Sequence, residues 1–177
     1  MHPLGECAWT AVLGERVDPL VHAEVVELAA RLELAALPGV REIVPGYATL
    51  TVFFDPATAN AEALRGWLMD AGREVGRPGG REVGRSGTTI RIPVRYDGPD
   101  LDFVAARTGL TRSEVIERHT ARDYRVYLLG FAPGFAYLGD LDPRLILPRR
   151  AEPRTRVPAG SVAIAGAQTA VYPLGTP

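Results

Sequence analysis

The chain has 177 residues, of which 46% are hydrophobic and 23% are charged, and its formal net charge is −1. This composition is typical of a globular protein, and the near-neutral charge argues against general binding to nucleic acid or to an anionic membrane. No apolar run is long enough for a transmembrane helix. The only cysteine, Cys7, cannot form a disulfide within these residues, which is typical of a cytoplasmic protein.

The first part of the chain predicts strands and helices in alternation. Strands are predicted at 6–13, 40–44 and 47–54. Asp18 and Pro19 are a typical helix start, and Pro38-Gly39 is a typical end. The apolar face of this first helix is formed by Val21, Val25, Leu28, Leu32 and Ala35. A second helix ends at Gly72, and the order strand–helix–strand–strand–helix indicates a ferredoxin-like α+β domain.

A glycine-rich repeat follows. The sequence Gly-Arg-Glu-Val-Gly-Arg occurs at 72–77 and again at 80–85. It has no apolar face to bury, so we predict a linker at about 73–88. The predicted domains are therefore 1–84, which ends in this linker, and 85–177. The repeat lacks the Gly-Lys-Ser/Thr ending of a phosphate-binding loop, so its glycines are weak evidence for a nucleotide site.

The second part predicts a small β-barrel with helical insertions. Alternating Ile90, Ile92 and Val94 predict a strand over 89–96, and further strands are predicted at 124–129 and 161–165. Two helices lie between the first two strands, the first capped by Asp100 and the second beginning with a Thr111–Glu114 capping box. Residues 104–116 also resemble a helix-turn-helix, but that pattern is short and a strand follows at once.

Four arginines in eight residues are the main chemical signal: Arg149, Arg150, Arg154 and Arg156. On a strand, Arg154 and Arg156 would share one face, and guanidinium groups bind carboxylate or phosphate as a fork. The alternative is a solvated loop that pairs with Asp140, Asp142 and Glu152. All 20 basic residues of the chain are arginine, so the choice of arginine alone decides nothing.

Further candidates flank this cluster. Phe131 and Phe135 surround a predicted Pro-Gly type II turn, and we expect both rings to lie in the core, with Tyr137 as the pocket member. Gln168 and Thr169 can bind an amide or carboxylate, or stabilise a turn. His119, at a helix end, is a candidate general base with a structural alternative. We find no metal motif.

The same segment resembles the KipI / allophanate hydrolase subunit 1 family, also called the 5-oxoprolinase B-subunit or PxpB-like family. The matching residues, in order, are Gly130-Phe131-x-Pro133-Gly134-Phe135-x-Tyr137-Leu138, Pro148-Arg149, Pro153-Arg154-x-Arg156-Val157-Pro158-x-Gly160-Ser161-Val162, Ile164-Ala165-Gly166-x-Gln168-Thr169 and Tyr172-Pro173. The resemblance implies a ferredoxin-like α+β domain followed by a cyclophilin-like β-barrel domain. Family members continue beyond this point, so we expect the barrel to be incomplete at residue 177.

The resemblance also implies a function. It is that of one component, inactive alone, of a cytoplasmic ATP-dependent 5-oxoprolinase. The implied partners are a KipA-like homologue (allophanate hydrolase subunit 2) and a LamB/YcsF-like homologue. The resemblance favours the four arginines, Tyr137, Gln168 and Thr169 as the substrate or anion site. Two alternatives stay open, a KipI-like inhibitor of a sensor histidine kinase and a subunit related to allophanate hydrolase or urea carboxylase. A homo-oligomer is also left open.

Overall fold

The computed structural model describes residues 1–75 and 88–176. The chain divides into two compact units, Met1–Thr88 and Thr89–Pro177. Each unit is built on one four-stranded sheet in which all neighbouring strands are antiparallel. Since helices accompany antiparallel rather than parallel strands, the fold is of the α+β class, as the sequence predicts.

Within residues 1–75, the first unit forms four strands and two helices. Its elements are β1 (His2–Pro3), β2 (Ala8–Val12), α1 (Pro19–Ala35), β3 (Val40–Pro45), β4 (Thr49–Phe54) and α2 (Ala61–Glu74). The sheet order is β1-β2-β4-β3, so β4 lies between β2 and β3. The chain therefore has to cross from β2 to the far edge of the sheet before β3, and α1 forms that connection.

Helix α1 begins where the sequence predicts it. The Asp18 carboxylate accepts hydrogen bonds from the backbone N–H groups of Leu20 (2.7 Å) and Val21 (3.4 Å), and a proline stands in the first turn. These contacts satisfy N–H groups that the first helical turn leaves without a partner. The helix ends at Ala35, before the predicted Pro-Gly stop, because Ala36 takes a left-handed conformation (φ 44°).

One apolar core lies between this sheet and its two helices. The core side chains recur every three or four residues on the helices and every second residue on β4, as a shared buried face requires. Six of them are less than 2% exposed: Val25, Leu28, Leu32, Leu50, Val52 and Leu68. The first unit is therefore stabilised mainly by burial of aliphatic side chains.

The second unit has a smaller sheet and shorter helices. Its elements are α3 (Leu101–Thr108), α4 (Arg112–Thr120), β5 (Arg125–Leu129), β6 (Ala136–Gly139), a 3-10 turn (Pro143–Leu145), β7 (Val162–Ala165) and β8 (Gln168–Val171). The sheet order is β5-β6-β8-β7. The predicted capping box begins α4: the Glu114 N–H donates to Thr111 Oγ1 (3.2 Å), and the Thr111 N–H donates to the Glu114 carboxylate (2.7 Å).

Residues 89–96 are the main departure from the predicted elements. The alternation of Ile90, Ile92 and Val94 predicts a strand, but this segment joins neither sheet. Ile90 is 77% exposed and Ile92 is 54% exposed. Alternation identifies an apolar face without supplying the neighbouring strand that completes the hydrogen bonds. The prediction of a strand was therefore wrong.

Strand β6 ends at a glycine that has no room for a side chain. A Cβ atom at Gly139 would lie 2.1 Å from a ring carbon of Tyr127. Tyr127, on β5, is 2% exposed, and its hydroxyl donates to the Asp140 carboxylate (3.0 Å). The tyrosine ring therefore fills the space over Gly139 and ties β5 to the end of β6.

Two finer predictions have different outcomes. The described residues form two open sheets and no closed barrel, so the cyclophilin-like barrel is not confirmed. The predicted linker at 73–88 overlaps α2, which continues to Glu74. Residues 76–87, which carry most of the repeat, lie outside the described residues. The domain limits 1–84 and 85–177 stay predictions.

Candidate functional site

The four arginines lie in a loop. Between the 3-10 turn and β7, residues 148–161 form no helix or strand except for an isolated bridge at Val157. All four arginine side chains are exposed. The strand that would give Arg154 and Arg156 a common face is therefore absent from this described segment, and their arrangement depends on side-chain contacts.

Asp100 brings two of these arginines together. Its Oδ2 atom lies 2.6 Å from Nη2 of Arg154, and its Oδ1 atom lies 3.2 Å from Nη1 of Arg150. The three side chains are 39–50% exposed, so these pairs contribute little to stability. One carboxylate faces two guanidinium groups, which leaves the cluster with excess positive charge for an anion.

The role of Asp100 differs from the predicted one. It occupies the N-cap position of α3, but its carboxylate makes no capping hydrogen bond and turns to the arginine loop. Of the carboxylates predicted to pair with the loop, Asp140 accepts the Tyr127 hydroxyl. Asp142 pairs with Arg118 at 3.3 Å. The backbone N–H of Arg144 and the guanidinium group of Arg118 both donate hydrogen bonds to the Asp142 carboxylate, and these bonds lower the pKa of Asp142.

The loop before β6 presents an aromatic ring at its tip. The Ala132 N–H donates to the Gly130 carbonyl (2.7 Å) around Phe131, whose φ is 65°. A three-residue turn of this left-handed kind is rare and strained, most of all at a bulky residue. The Phe131 ring is 65% exposed. The prediction that it belongs to the core was wrong.

The predicted Pro-Gly turn follows directly. It is closed by the Phe135 N–H and the Ala132 carbonyl (3.0 Å), with Gly134 at φ 77°, as a type II turn requires. Phe135 is 5% exposed, as predicted for a core ring. Its ring packs edge-on against Tyr137 (4.9 Å between centroids) and Tyr172 (5.1 Å). These rings form an aromatic cluster beside β6 and β8.

The sheet separates the predicted binding residues between its two faces. In the pairing of β6 with β8, Leu138 lies opposite Thr169, so these two residues share one face. Neighbouring residues along a strand point to opposite faces. Tyr137 and Gln168 therefore belong to the other face, which also carries Phe135. Thr169 does not line a common surface with Gln168, although the two are adjacent in sequence.

Thr169 points instead to His119. Its Oγ1 lies 3.0 Å from Nε2 of His119, and the Thr169 hydroxyl donates to the Ala163 carbonyl (3.0 Å). The Tyr96 hydroxyl lies 2.5 Å from Nδ1 of the same imidazole. The Tyr124 hydroxyl donates to the His119 carbonyl (2.8 Å). Both ring nitrogens of His119 are therefore in contact with protein hydroxyls.

The electrostatics of this network follow from burial. Loss of hydration disfavours a charged group, so burial lowers the pKa of His119 below its ordinary 6.5. Burial likewise raises the pKa of Tyr96, and it raises the pKa of Tyr124 to about 12. The three rings are uncharged at neutral pH.

The structure brings together some predicted residues and adds others. Arg150 and Arg154 meet at Asp100, and His119 meets Thr169. Among residues 88–176, no hydrogen bond or ion pair joins these two groups. Sequence reasoning missed Tyr96 and Tyr124 as partners of His119. The sequence offered one indication of this network: the hydroxyl of a buried tyrosine usually needs a hydrogen-bond partner.

The helix-turn-helix alternative has its two helices, but its arginines are paired with carboxylates. Helices α3 and α4 are joined through Gly109, which is left-handed (φ 67°). Two arginines on α4 could contact phosphates from such a motif, but Arg112 pairs with Asp102 (3.4 Å) and Arg118 pairs with Asp142. This pairing argues against a DNA-binding surface here.

No group of three His, Cys, Asp or Glu side chains within residues 1–75 and 88–176 is placed to hold a metal ion. No helix in this part of the chain combines the length and apolar character needed to cross a membrane. A cleft of about 290 Å³ lies in the first unit near Leu28 and Leu68, and none of the predicted site residues lines it.

Comparison with known proteins identifies the family. Residues 1–177 match the family described as carboxyltransferase domain, subdomain C and D. The 5-oxoprolinase B-subunit of Bacillus subtilis (strain 168) is 38% identical over 187 aligned positions, which cover 98% of this chain and 76% of the relative. The chain belongs to the 5-oxoprolinase B-subunit family. The resemblance noted in the sequence is confirmed. The 5-oxoprolinase B-subunit of Escherichia coli O157:H7 is 43% identical over 178 positions, covering 95% of this chain and 77% of the relative.

Solved structures share the fold of this chain. The crystal structure of TTHA0988 is 40% identical with a TM-score of 0.80, and the match covers 96% of this chain. It covers 33% of the TTHA0988 chain, so this chain spans about a third of that protein. The urea carboxylase of Kluyveromyces lactis, at 21% identity and a TM-score of 0.69, shares the fold over 94% of this chain and 17% of its own.

Proposed function

We propose that this protein is the B-subunit of an ATP-dependent 5-oxoprolinase assembly, which opens 5-oxo-L-proline to L-glutamate. The observation that carries the proposal is the match of 95–98% of the chain to two relatives of that name, at 38–43% identity. We further propose that the assembly contains a KipA-like and a LamB/YcsF-like homologue, and that this chain has no oxoprolinase activity alone.

The chemistry requires groups that bind anions. Ring opening adds the hydroxyl of water to the lactam carbonyl carbon and a proton to the ring nitrogen. An amide carbonyl is a poor electrophile, so the reaction needs activation, which ATP supplies to the assembly. Substrate carboxylate and phosphate both require cationic donors. Arg150 and Arg154, with Arg149 and Arg156 in the same loop, are the donors that we propose.

The polar groups around this loop suggest how it binds. Asp100 holds Arg150 and Arg154 within reach of one carboxylate, and a substrate carboxylate of similar shape can replace it as their partner. We propose Tyr137 and Gln168 as further binding residues, because they share one face of the sheet. Thr169 is less suited to direct contact, since it is 3% exposed on the other face.

The described residues do not fit a nucleotide site of the phosphate-loop type. Such a site needs a lysine, and all 20 basic residues here are arginine. We therefore propose no ATP site in this chain and assign ATP binding to the assembly.

We also propose a fold for each domain and a second candidate function. The sheet order β1-β2-β4-β3 with two covering helices supports a ferredoxin-like first domain, and the family supports a cyclophilin-like second one. The carboxyltransferase description supports, as a second candidate function, a subunit related to allophanate hydrolase or urea carboxylase. A KipI-like kinase inhibitor and a cytoplasmic location stay predictions from the sequence.

Reconstitution tests the proposal. The protein is mixed with the KipA-like and LamB/YcsF-like homologues of its own source, ATP and 5-oxo-L-proline, and glutamate release is measured with each component omitted in turn. We expect release only from the complete mixture. Full activity of the two homologues without this protein would refute the proposed function.

The arginine site is tested in the same mixture. We expect Arg154→Ala to lower activity by about tenfold or more, because a charged hydrogen bond to the substrate is lost. Arg107→Ala, an exposed arginine on α3, is the matched control. Wild-type kinetics for Arg154→Ala would refute the arginine site and would favour the solvated-loop alternative, but they would not contradict the proposed function as a B-subunit.

A further inference from the structure

Three segments of the second unit meet at one imidazole ring. His119 lies near the end of α4, Thr169 lies on β8, and Tyr96 belongs to the segment that precedes α3. The His119 ring is in contact with the hydroxyls of the other two through its two nitrogens, at 2.5 Å and 3.0 Å. A histidine that acts as a general base needs one nitrogen free for the substrate proton. Neither nitrogen is free here.

The hydrogens of the network define one tautomer. The Thr169 hydroxyl has a single hydrogen, and it donates that hydrogen to the Ala163 carbonyl (3.0 Å). Its oxygen can then only accept from His119, so Nε2 carries the hydrogen. Nδ1 is left as an acceptor, and the Tyr96 hydroxyl donates to it. The chain of donors runs Tyr96, His119, Thr169 and the Ala163 carbonyl without a gap.

We propose that His119 is a positioning residue, an uncharged imidazole that holds β8 in place through a fixed hydrogen bond from Nε2–H to Thr169. The bond acts on the face of the sheet opposite to Gln168 and Tyr137. A strand whose one face is fixed by a buried donor keeps its other face in a defined position. This assignment removes His119 as a catalytic base and Thr169 as a direct binding residue.

The consequence for kinetics rests on the proposed function. If β8 loses its support, Gln168 is displaced and substrate binding weakens. Loss of uniform binding raises KM and leaves kcat nearly unchanged, whereas loss of a base lowers kcat. The two roles of His119 therefore predict different kinetic effects in the reconstituted assembly.

Two amide variants separate the two nitrogens. Glutamine places an amide N–H close to the position of Nε2, and asparagine places one close to Nδ1. We expect His119→Gln to keep KM for 5-oxo-L-proline within about twofold and His119→Asn to raise it about tenfold, as for one lost hydrogen bond. Glu117→Gln, exposed on the same helix, is the matched control.

A measurement on the protein alone does not depend on the reaction. Nitrogen-15 NMR of the imidazole should show hydrogen on Nε2 only, from about pH 7 to about pH 8, because burial lowers the pKa of His119 below the ordinary histidine value of about 6.5. The groups facing the ring are Tyr96 and Tyr124, with centroids at 5.8 Å and 5.2 Å, and both are uncharged in this range. Thr169→Val should change the Nε2–H signal, and Thr169→Ser should preserve it.

The outcomes are decisive in each direction. Hydrogen on Nδ1, or an imidazolium at pH 7, would overturn the proposal whatever the reaction proves to be. The proposal would also be overturned if both amide variants lost kcat and the acid limb of the kcat–pH profile, because removal of a catalytic base has these two effects. If the amide variants do not fold, the Thr169→Val and Thr169→Ser spectra still decide. A reconstituted mixture without activity refutes the proposed function but leaves the NMR result valid.

Discussion

The two units of the chain achieve order by different means. Among residues 1–75 and 88–176, the core of the first unit contains twelve buried residues and that of the second contains six. Of the seven largest side chains that are less than 2% exposed, only Leu145 belongs to the second unit. In place of aliphatic burial, the second unit has hydrogen-bonded side chains at His119 and at Asp142. An apolar core tolerates substitution by other apolar side chains of similar volume, whereas a buried polar network is disrupted when any one hydrogen-bond partner is removed.

This difference also separates scaffold from chemistry. All of the predicted site residues lie in the second unit: the four arginines are exposed in a loop, Tyr137 and Gln168 are half-buried on short strands, and His119 on α4 meets the buried Thr169. Binding residues are commonly found on such segments because their polar groups remain accessible. The comparison predicts that substitutions in the first unit mainly affect stability and that those in the second mainly affect function.

The largest effect is expected in the first core. Leu28 on α1 is fully buried, so Leu28→Ala removes its apolar contacts and leaves a cavity. We expect a loss of about 2–5 kcal/mol in the free energy of unfolding, measured with urea. Leu34→Ala on the same helix, 84% exposed, is the control and should change it by less than about 0.5 kcal/mol. Equal effects would show that the packing described for α1 is incorrect.

A smaller effect is expected at the start of α4. Thr111→Ala removes the side-chain acceptor of the capping box, and the Glu114 N–H loses its partner. The expected loss is about 1 kcal/mol of unfolding free energy. Ser113→Ala in the same turn keeps the cap and should have little effect. A stable Thr111→Ala variant would mean that tertiary contacts alone maintain α4.

A pH effect is expected from the His119 network. Because burial lowers the pKa of His119, the unfolded chain binds a proton at a higher pH than the folded protein does. The contribution of the neutral imidazole to the free energy of unfolding should be fully present above about pH 6.5. It should be lost as the pH decreases through the pKa of His119 in the folded protein. His119→Gln removes this titration, so its unfolding free energy should vary less over the same range. Parallel pH profiles would show that the imidazole is not buried as described.

The smallest effect on stability is expected at the arginine loop. Asp100→Asn removes the charge that holds Arg150 and Arg154, but all three side chains are partly exposed. The unfolding free energy should change by less than about 1 kcal/mol. Affinity for inorganic phosphate, measured by calorimetry, should rise because two guanidinium groups lose a competitor. Unchanged affinity would indicate that the loop is not an anion site.

The sequence predicted elements that depend on near neighbours. Asp18 at the start of α1 and Thr111–Glu114 at the start of α4 act over three residues, and both are confirmed. The Pro-Gly turn before Phe135 is of the same kind. Side-chain period also placed Leu28 and Leu32 in the core. Local hydrogen bonds and periodic burial depend on residues that are close together in the sequence, so the sequence alone predicts them.

Features that depend on distant partners could not be read in this way. Asp100 and Arg154 are separated by 54 residues, and His119 and Thr169 by 50. The alternation at 89–96 gave no information about a pairing strand. Phe131 has the composition of a core residue, but its backbone turn directs the ring to solvent. The candidate site was found in sequence as a group of residues, and its division between two sheet faces required the strand pairing.

The tight approach of Tyr127 to Gly139 has a consequence for sequence variation. A methyl group at position 139 would occupy the space of the ring, so the two positions cannot change independently. A relative with alanine or a larger residue at 139 should carry a smaller side chain at 127, which also removes the hydroxyl partner of Asp140. Among aligned relatives, these three positions should therefore vary as a set, and a substitution pattern that breaks the set marks a lineage in which the hairpin of β5 and β6 is packed differently.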